Sequence, residues 1–524
     1  MARVEVLVIG GGVTGAGIAR DLALRGVEVL LLERGDFCSG ASGANHGMLH
    51  SGARYAVTDP ISAKECAEEN KILKRVASFC IEECGGIFVS LPADDQRFAS
   101  AFEKACRVTN VPCEHLTPQE TKAKAPWISN DIVAAYAVED ASIDPFSLTL
   151  SNLDSARQAG AETLNYKIVT SMRVKGQSVE EIIFRDAFTG ESSRVKPELV
   201  VNAAGPWAGE VAAMVGLELR LGADKGSMVV LDGRLTNSIV NRLRPPSDGD
   251  ILVPNHSSTI IGTTSIPLEH PMSVSATRAE VQLLIKEASL MIPKVSEARA
   301  IRAYSGIRPL LYPSGRKSER GYRIIDHSEK GVENMMSVVG GKLTTYRLMA
   351  ERVSDLVCRA IGKRSSCHTR TEPICSDEGE PHLEGVLEIY RRRLLRKYGP
   401  SGKKVGEFCL KRPQGIEVAC SCEQVLQGEL EYFASHPDVR TLSDLMRRTR
   451  AGMGYCQGGM CALRMVSALA RRMEQDPKML LEDFLSERWK GLFPVLEGEQ
   501  LRQEVMKRYL LTGTYHLIVR EGTA

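Results

Sequence analysis

Residues 4–15 read Val4-Glu5-Val6-Leu7-Val8-Ile9-Gly10-Gly11-Gly12-Val13-Thr14-Gly15, an apolar, β-branched run that ends in G-x-G-x-x-G. The run predicts a buried strand. Residues 16–25 have helical spacing up to Gly26, and residues 27–32 form a second apolar run. Continuous apolar strands around a helix imply a parallel βαβ unit covered on both sheet faces. Glycine has a chemical reason here: a pyrophosphate must approach backbone N–H groups that a Cβ would block. The helix N-terminus adds partial positive charge for the phosphates. Gly10, Gly12, Thr14 and Gly15 are therefore candidate dinucleotide-binding positions. Glu33 ends the second strand 18 residues after Gly15, where a carboxylate accepts bonds from ribose hydroxyls. FAD and NAD share this fingerprint, and the bland alternative is a tight turn with no ligand.

Two later segments favour FAD. Asn202-Ala203-Ala204-Gly205-Pro206-Trp207 follows a strand-like run, and its small residues let backbone lie against a cofactor. Gly340-Gly341-Lys342-Leu343-Thr344-Thr345 also follows a strand and begins a helix. Its N–H groups suit the pyrimidine edge of a flavin, where they would stabilise negative charge on the reduced ring. A nicotinamide enzyme needs no third return to the cofactor. Each segment alone also reads as an ordinary turn into a packed helix.

Composition excludes several classes. Lys and Arg number 67 against 65 for Asp and Glu, so charge gives no reason to expect a polyanionic partner. Nucleic-acid binding is not expected. The chain runs from Met1 into its first strand with no secretory pattern, and no apolar run approaches the roughly 18 residues of a membrane span. Ten of the 14 cysteines, from Cys38 to Cys409, have no repeated spacing and read as reduced core thiols.

Residues 60–110 are helical and charged in pattern. Residues 166–205, 225–265 and 301–326 read as sheet, with turn signals at Asn255-His256 and Pro313-Ser314-Gly315. A strand at 335–339 leads through Gly340-Gly341 into a helix reaching about residue 361. No internal repeat is found. The expected architecture is α/β. Residues 1–365 would form a Rossmann-like FAD-binding domain (about 1–90, 140–215 and 326–365) interleaved with a mixed-sheet substrate domain (about 91–139 and 216–325). Residues 366–415, rich in charge, Ser, Pro and Gly, read as a linker with short helices. Residues 416–475 read as a small helical cysteine module and 476–524 as a helical tail.

Three segments carry a family resemblance: Ser42-Gly43-Ala44-Asn45-His46-Gly47-Met48-Leu49-His50-Ser51-Gly52-Ala53-Arg54-Tyr55, Ala303-Tyr304-Ser305-Gly306-Ile307-Arg308-Pro309-Leu310, and Gly340-Gly341-Lys342-Leu343-Thr344-Thr345-Tyr346-Arg347. They resemble the FAD-dependent glycerol-3-phosphate dehydrogenases, and the Asn-His-Gly variant of the first looks most like the catalytic A subunit of the anaerobic enzymes. The resemblance implies a D-amino-acid-oxidase-like fold and quinone-linked oxidation of sn-glycerol 3-phosphate to dihydroxyacetone phosphate. It adds Arg34, Ser42, Asn45, His46, Gly47, Leu49, Ala204, Gly205, Gly341, Lys342, Leu343 and Thr344 to the expected cofactor contacts.

That chemistry needs a phosphate dianion held, a proton taken from the C2 hydroxyl and a hydride passed to flavin. Arginine forks bind phosphate bidentately, which points to Arg54 and Arg308. Arg308 or Lys342 would also stabilise developing charge on the carbinol oxygen. Tyr55 and Tyr304 are candidate hydrogen-bond partners, and His50 is the candidate base. The aerobic enzymes carry histidine where this chain has Met228, so that base assignment does not transfer.

Cys420-Ser421-Cys422 and Cys456-Gln457-Gly458-Gly459-Met460-Cys461 give C-x-C, 33 residues, then C-x4-C. Four thiolates from two close pairs suit iron–sulfur or zinc, although structural zinc favours C-x2-C pairs. The run from Arg447 to Cys456 resembles a bacterioferritin-associated-ferredoxin-like [2Fe–2S] domain. Its arginines, Arg447, Arg448 and Arg450, would offset cluster charge, dock a partner or simply form a solvated face. A one-electron relay beside a two-electron flavin implies a protein acceptor. By resemblance, that means a flavoprotein B subunit, with an iron–sulfur membrane anchor leading to quinone in anaerobic respiration, and this chain cytoplasmic and peripheral. Competing readings keep the flavin but take a 2-hydroxy acid or amino acid, or make the chain a non-catalytic electron-transfer protein.

Overall fold

The computed structural model describes residues 2–311, 321–374, 388–473 and 476–514; the expected turn at Pro313-Ser314-Gly315 and the last ten residues of the tail lie outside them. Strand Ala2–Ile9 sits centrally in an eight-stranded sheet, parallel to Val29–Leu32 on one side and to Ser192–Asn202 on the other. Register aligns Ile9 with both Leu32 and Asn202, and Asn202 with Ser337 of the parallel strand Met335–Gly340. All four strands therefore end along one edge, and Gly10, Glu33, Ala203 and Gly340 lie together there. Ligands of open α/β sheets bind outside such carboxyl ends.

Alternation fills both faces of this sheet. Val6, Val8, Leu31 and Val201 pack beneath helices Val13–Leu24 and Tyr346–Ala360. Leu7, Ile9, Leu30 and Val200 pack against Val211 and Leu217 on the other side. Burial on both faces is why these strands read as unbroken apolar runs.

A second, nine-stranded sheet contains the long strands Leu221–Leu231 and Ala300–Leu311, paired antiparallel with Asp224 opposite Arg308 and Gly226 opposite Gly306. Strand Gly86–Ser90 belongs to it, so the chain crosses between sheets earlier than residue 91. The stretch 60–110 also departs from an all-helical pattern: Gly86–Ser90 separates helices Pro60–Val76 and Arg97–Thr109.

The segment expected as linker is built into a core. Leu394 and Tyr398 of helix Glu388–Tyr398, and Val405 and Cys409 of helix Gly402–Leu410, are buried with Leu430, Leu445 and Met465. Leu480, Leu481 and Phe484 of helix Pro477–Leu492 join the same cluster. The charged composition of these helices had masked an apolar stripe.

Candidate active site

The aligned strand ends open into a cavity of about 770 Å³, within the range of small-molecule sites. Gly10 turns the chain with φ +115°, and a Cβ there would come within 2.5 Å of the Ala203 carbonyl oxygen. A Cβ on Gly15 would lie 1.9 Å from the Gly10 carbonyl oxygen, so this glycine permits helix to pack on strand. Ser42 Oγ accepts a hydrogen bond from the Val13 N–H, tying the loop to the helix N-terminus. Glu33 accepts from the Gly11 and Gly35 N–H groups, at 2.6 and 2.8 Å. Burial raises its pKa against those two hydrogen bonds. The Arg34 guanidinium lies over the Trp207 ring at 3.9 Å, joining the first cofactor segment to the second.

The cavity is lined by Gly10, Gly12, Thr14, Glu33, Arg34 and Ser42 at one wall, and by Gly341, Lys342 and Leu343 at another. Ala204 and Gly205 border it too. A dinucleotide fits this cradle: glycine backbone, a helix N-terminus and a carboxylate at the second strand end stand along one continuous space. Some expected contacts lie behind the wall instead. Leu49 is core, Thr344 accepts from the His50 N–H, and Gly47 borders a different cavity. The Asn45 amide is spent on its own loop, donating to the Ser42 carbonyl and accepting from the Gly47 N–H.

Arg54, Tyr55, Arg308, His46 and His50 line the same cavity. Arg54 pairs with the buried Asp250 at 3.0 Å, and Asp250 also takes Arg244 at 2.8 Å. Arg308 pairs with its cross-strand neighbour Asp224 and donates to Thr263 and to the Thr264 carbonyl. A Cβ at Gly226 would meet the Arg308 guanidinium, so a side chain there would push the guanidinium from this position. The Lys342 ammonium donates to Ser62 at 2.8 Å and lies 4.6 Å from the centre of the Tyr55 ring.

His50 and His46 face each other edge to face, 6.1 Å apart, and the Tyr55 hydroxyl is 3.4 Å from His50 Nε2. His46 is the more isolated: among the described residues its Nδ1 is buried without a hydrogen-bond partner. Burial, then the charges of Arg308 and Arg54, push its pKa down to about 3, so it is neutral at physiological pH. Met228 also lines the cavity.

Tyr304 departs from the expected substrate contact. Its hydroxyl donates to the Asn45 carbonyl at 2.8 Å, and it borders a second cavity instead of the first. Asp224, Asp250 and Thr263 were missed by sequence reasoning. They act by anchoring arginines, and only the strand register brings them there.

In the cysteine module, a hairpin of Val418–Cys420 and Val425–Leu426 presents Cys420 and Cys422 to the loop carrying Cys456 and Cys461. Cys420 contacts Cys461, and Cys422 contacts Cys456. The hydrogen bond from Cys461 pushes Cys420 down to about 6, and Cys461 is correspondingly raised. Among the described residues, no group of three or more His, Cys, Asp or Glu side chains is arranged to hold a metal ion. The arginines before this loop are paired within the chain. Arg447 and Arg448 pair with Asp36 in the loop after Glu33, and Arg450 pairs with Asp144 and Glu423.

The fold and this cradle define a flavin oxidoreductase, and residues 5–356 match the FAD dependent oxidoreductase (DAO) family. The A subunit of the anaerobic glycerol-3-phosphate dehydrogenase of Escherichia coli (strain K12) is 40% identical over 97% of this chain and 96% of its own length. The A1 subunit of the Haloferax volcanii enzyme is 37% identical over 97% and 90%. The chain belongs to this family of anaerobic glycerol-3-phosphate dehydrogenase A subunits. Its fold is shared with a glycerol-3-phosphate dehydrogenase from Bacillus halodurans complexed with FAD, at a TM-score of 0.73 and 23% identity, over 95% of this chain and 96% of that one.

Proposed function

We propose that this chain oxidises sn-glycerol 3-phosphate to dihydroxyacetone phosphate with FAD. The observation that carries the reading is the pair Arg54 and Arg308, each pinned by a carboxylate on the wall of the cavity that begins at the dinucleotide turn. Fixed guanidinium groups suit a phosphate dianion and keep a small substrate in one orientation. The glycine turn, Glu33 and the segment 341–343 would hold FAD, which would supply the hydride acceptor for C2. The chain's own residues hold the phosphate, accept the C2 hydroxyl proton and keep water out.

Of the two cavity imidazoles, His50 is the candidate proton acceptor. His46 is neutral, but burial and the two arginine charges that push its pKa down to about 3 make it a weak base, and its Nδ1 is buried. Arg308 and Lys342 supply positive charge as the carbinol oxygen gains negative charge. His50, tied to Tyr55 and to the third cofactor segment, positions the substrate side of the wall.

Two thiol pairs on one hairpin and one loop offer four soft donors, the set that holds a [2Fe–2S] cluster; zinc is the competing occupant. A one-electron centre implies onward transfer to partner subunits, and through them to a membrane quinone. No helix among the described residues is long and apolar enough to cross a membrane, so partners would supply that anchorage. Anaerobic reduction of the bound flavin by glycerol 3-phosphate, compared with 2-hydroxyglutarate and proline, tests the substrate. Bleaching by one of the acids, with none by glycerol 3-phosphate, would replace this reading with the hydroxy-acid or amino-acid one.

A further inference from the structure

A second cavity, of about 380 Å³, lies behind the loop that walls the first, and Ser39, Ala44 and Asn45 border both. Further walls come from strand Ala300–Leu311, the cysteine module, helix Pro477–Leu492, Phe146, Ile260 and residues 273–276. Its charge is one-sided: Arg302, Arg447, Arg450, Arg488 and Lys490 line it against a single carboxylate, Glu487.

Most of these cations are compensated within the chain. Arg447 has Asp36 and Asp444, and Arg450 has Glu423 and Asp144. Arg488 reaches Glu504 at 3.6 Å and donates from Nη2 to the Cys456 carbonyl at 3.3 Å, while among the described residues its Nε is buried without a hydrogen-bond partner. Among the described residues the Arg302 side chain makes no hydrogen bond or ion pair; Tyr304 and the Glu487 carboxylate favour its charge, and the charges of Arg447 and Arg488 oppose it. Gly491 makes room for it, since a Cβ there would come within 2.9 Å of Arg302 Cγ.

A guanidinium does not shed its proton, and the one carboxylate near Arg302, Glu487, is paired with Lys490, so the cluster calls for a further anion. The thiolates do not supply it. They bear on Arg488, whereas no cysteine figures among the charges acting on Arg302. Phe146, Ile260 and Phe484 give the cavity apolar walls, and its volume exceeds what a bare phosphate needs.

We propose that the second cavity binds a small organic phosphate, an anionic group on an apolar body, at a site separate from the first cavity. The forks of Arg302 and Arg488 supply the geometry phosphate prefers. Because Ala44 and Asn45 also wall the flavin cavity, occupancy shifts the visible spectrum of bound FAD.

Equilibrium dialysis of the FAD-loaded full chain against labelled AMP, with inorganic phosphate as competitor, tests this. One AMP per chain is expected, with a flavin spectral shift on binding. Arg302→Gln weakens it about tenfold or more. Lys490→Gln, at a half-exposed position that folding tolerates, weakens it less; Arg308→Ala leaves it intact. Absence of AMP and phosphate binding overturns the proposal. So does binding that Arg308→Ala abolishes while Arg302→Gln and Lys490→Gln spare it, because the ligand would then occupy the first cavity.

Discussion

Arg448 forks across Asp36, with Nη1 to Oδ2 at 3.0 Å and Nη2 to Oδ1 at 3.0 Å, both side chains almost wholly buried. Asp36 stands three residues beyond Glu33, the carboxylate at the dinucleotide edge. The cysteine module is therefore bolted directly to the loop of the flavin half. Asn165 and Arg447 complete the carboxylate's hydrogen bonds.

Asp36→Ala should accordingly cost about 3–5 kcal/mol, because it takes the forked carboxylate from the buried Arg448 guanidinium and leaves Arg447 with Asp444 alone. Urea unfolding followed by both tryptophan fluorescence and flavin release measures it. A change below about 1 kcal/mol would mean the contact is not made in solution.

Gly226→Ala should leave a folded, FAD-loaded protein whose substrate-driven flavin reduction falls roughly tenfold to a hundredfold, since the new Cβ meets the Arg308 guanidinium. Arg308→Lys should resemble it, because an ammonium cannot reproduce the fork. Single-turnover reduction rates decide; an unchanged rate in both variants removes Arg308 from the site.

His46 makes a prediction in pH. Its folded pKa of about 3 lies below the ordinary value of 6.5, so the unfolded chain binds the extra proton between these limits. Its contribution to stability is complete above pH 6.5 and is lost as pH falls towards 3, at roughly 1.4 kcal/mol per unit. His46→Gln should flatten the acid limb of a stability–pH curve. An acid limb as steep as in the wild type argues that His46 is already charged.

Cys456→Ser should remove iron and sulfide while FAD stays bound, because the cavity at the strand ends shares no residue with the thiol pairs. Metal analysis alongside the flavin spectrum reads both at once. Retained iron, or zinc in the wild-type protein, contradicts the cluster assignment.

The βαβ unit was legible because its signals are local: apolar runs, a glycine turn and an acid within about thirty residues. The later glycine segments were legible for the same reason. The helices carrying Leu394 and Val405 were not, since their buried stripes lie among residues such as Arg391, Arg392 and Lys403, which look like linker. Leu394→Ala, at a fully buried position, should cost about 2–5 kcal/mol, where a linker leucine would cost almost nothing. The roles of Arg447, Arg448 and Arg450 were hidden because their partners Asp36 and Asp144 lie some three to four hundred residues away. Tyr304 was misplaced because a motif names a residue without saying which cavity its ring enters.

The central claim, that the strand-end cavity holds FAD and reduces it with glycerol 3-phosphate, is tested most directly by anaerobic titration of the purified yellow chain under a visible spectrometer. The flavin band should bleach on addition of sn-glycerol 3-phosphate, with dihydroxyacetone phosphate released. A colourless preparation, or a flavin band untouched by saturating substrate, would contradict it.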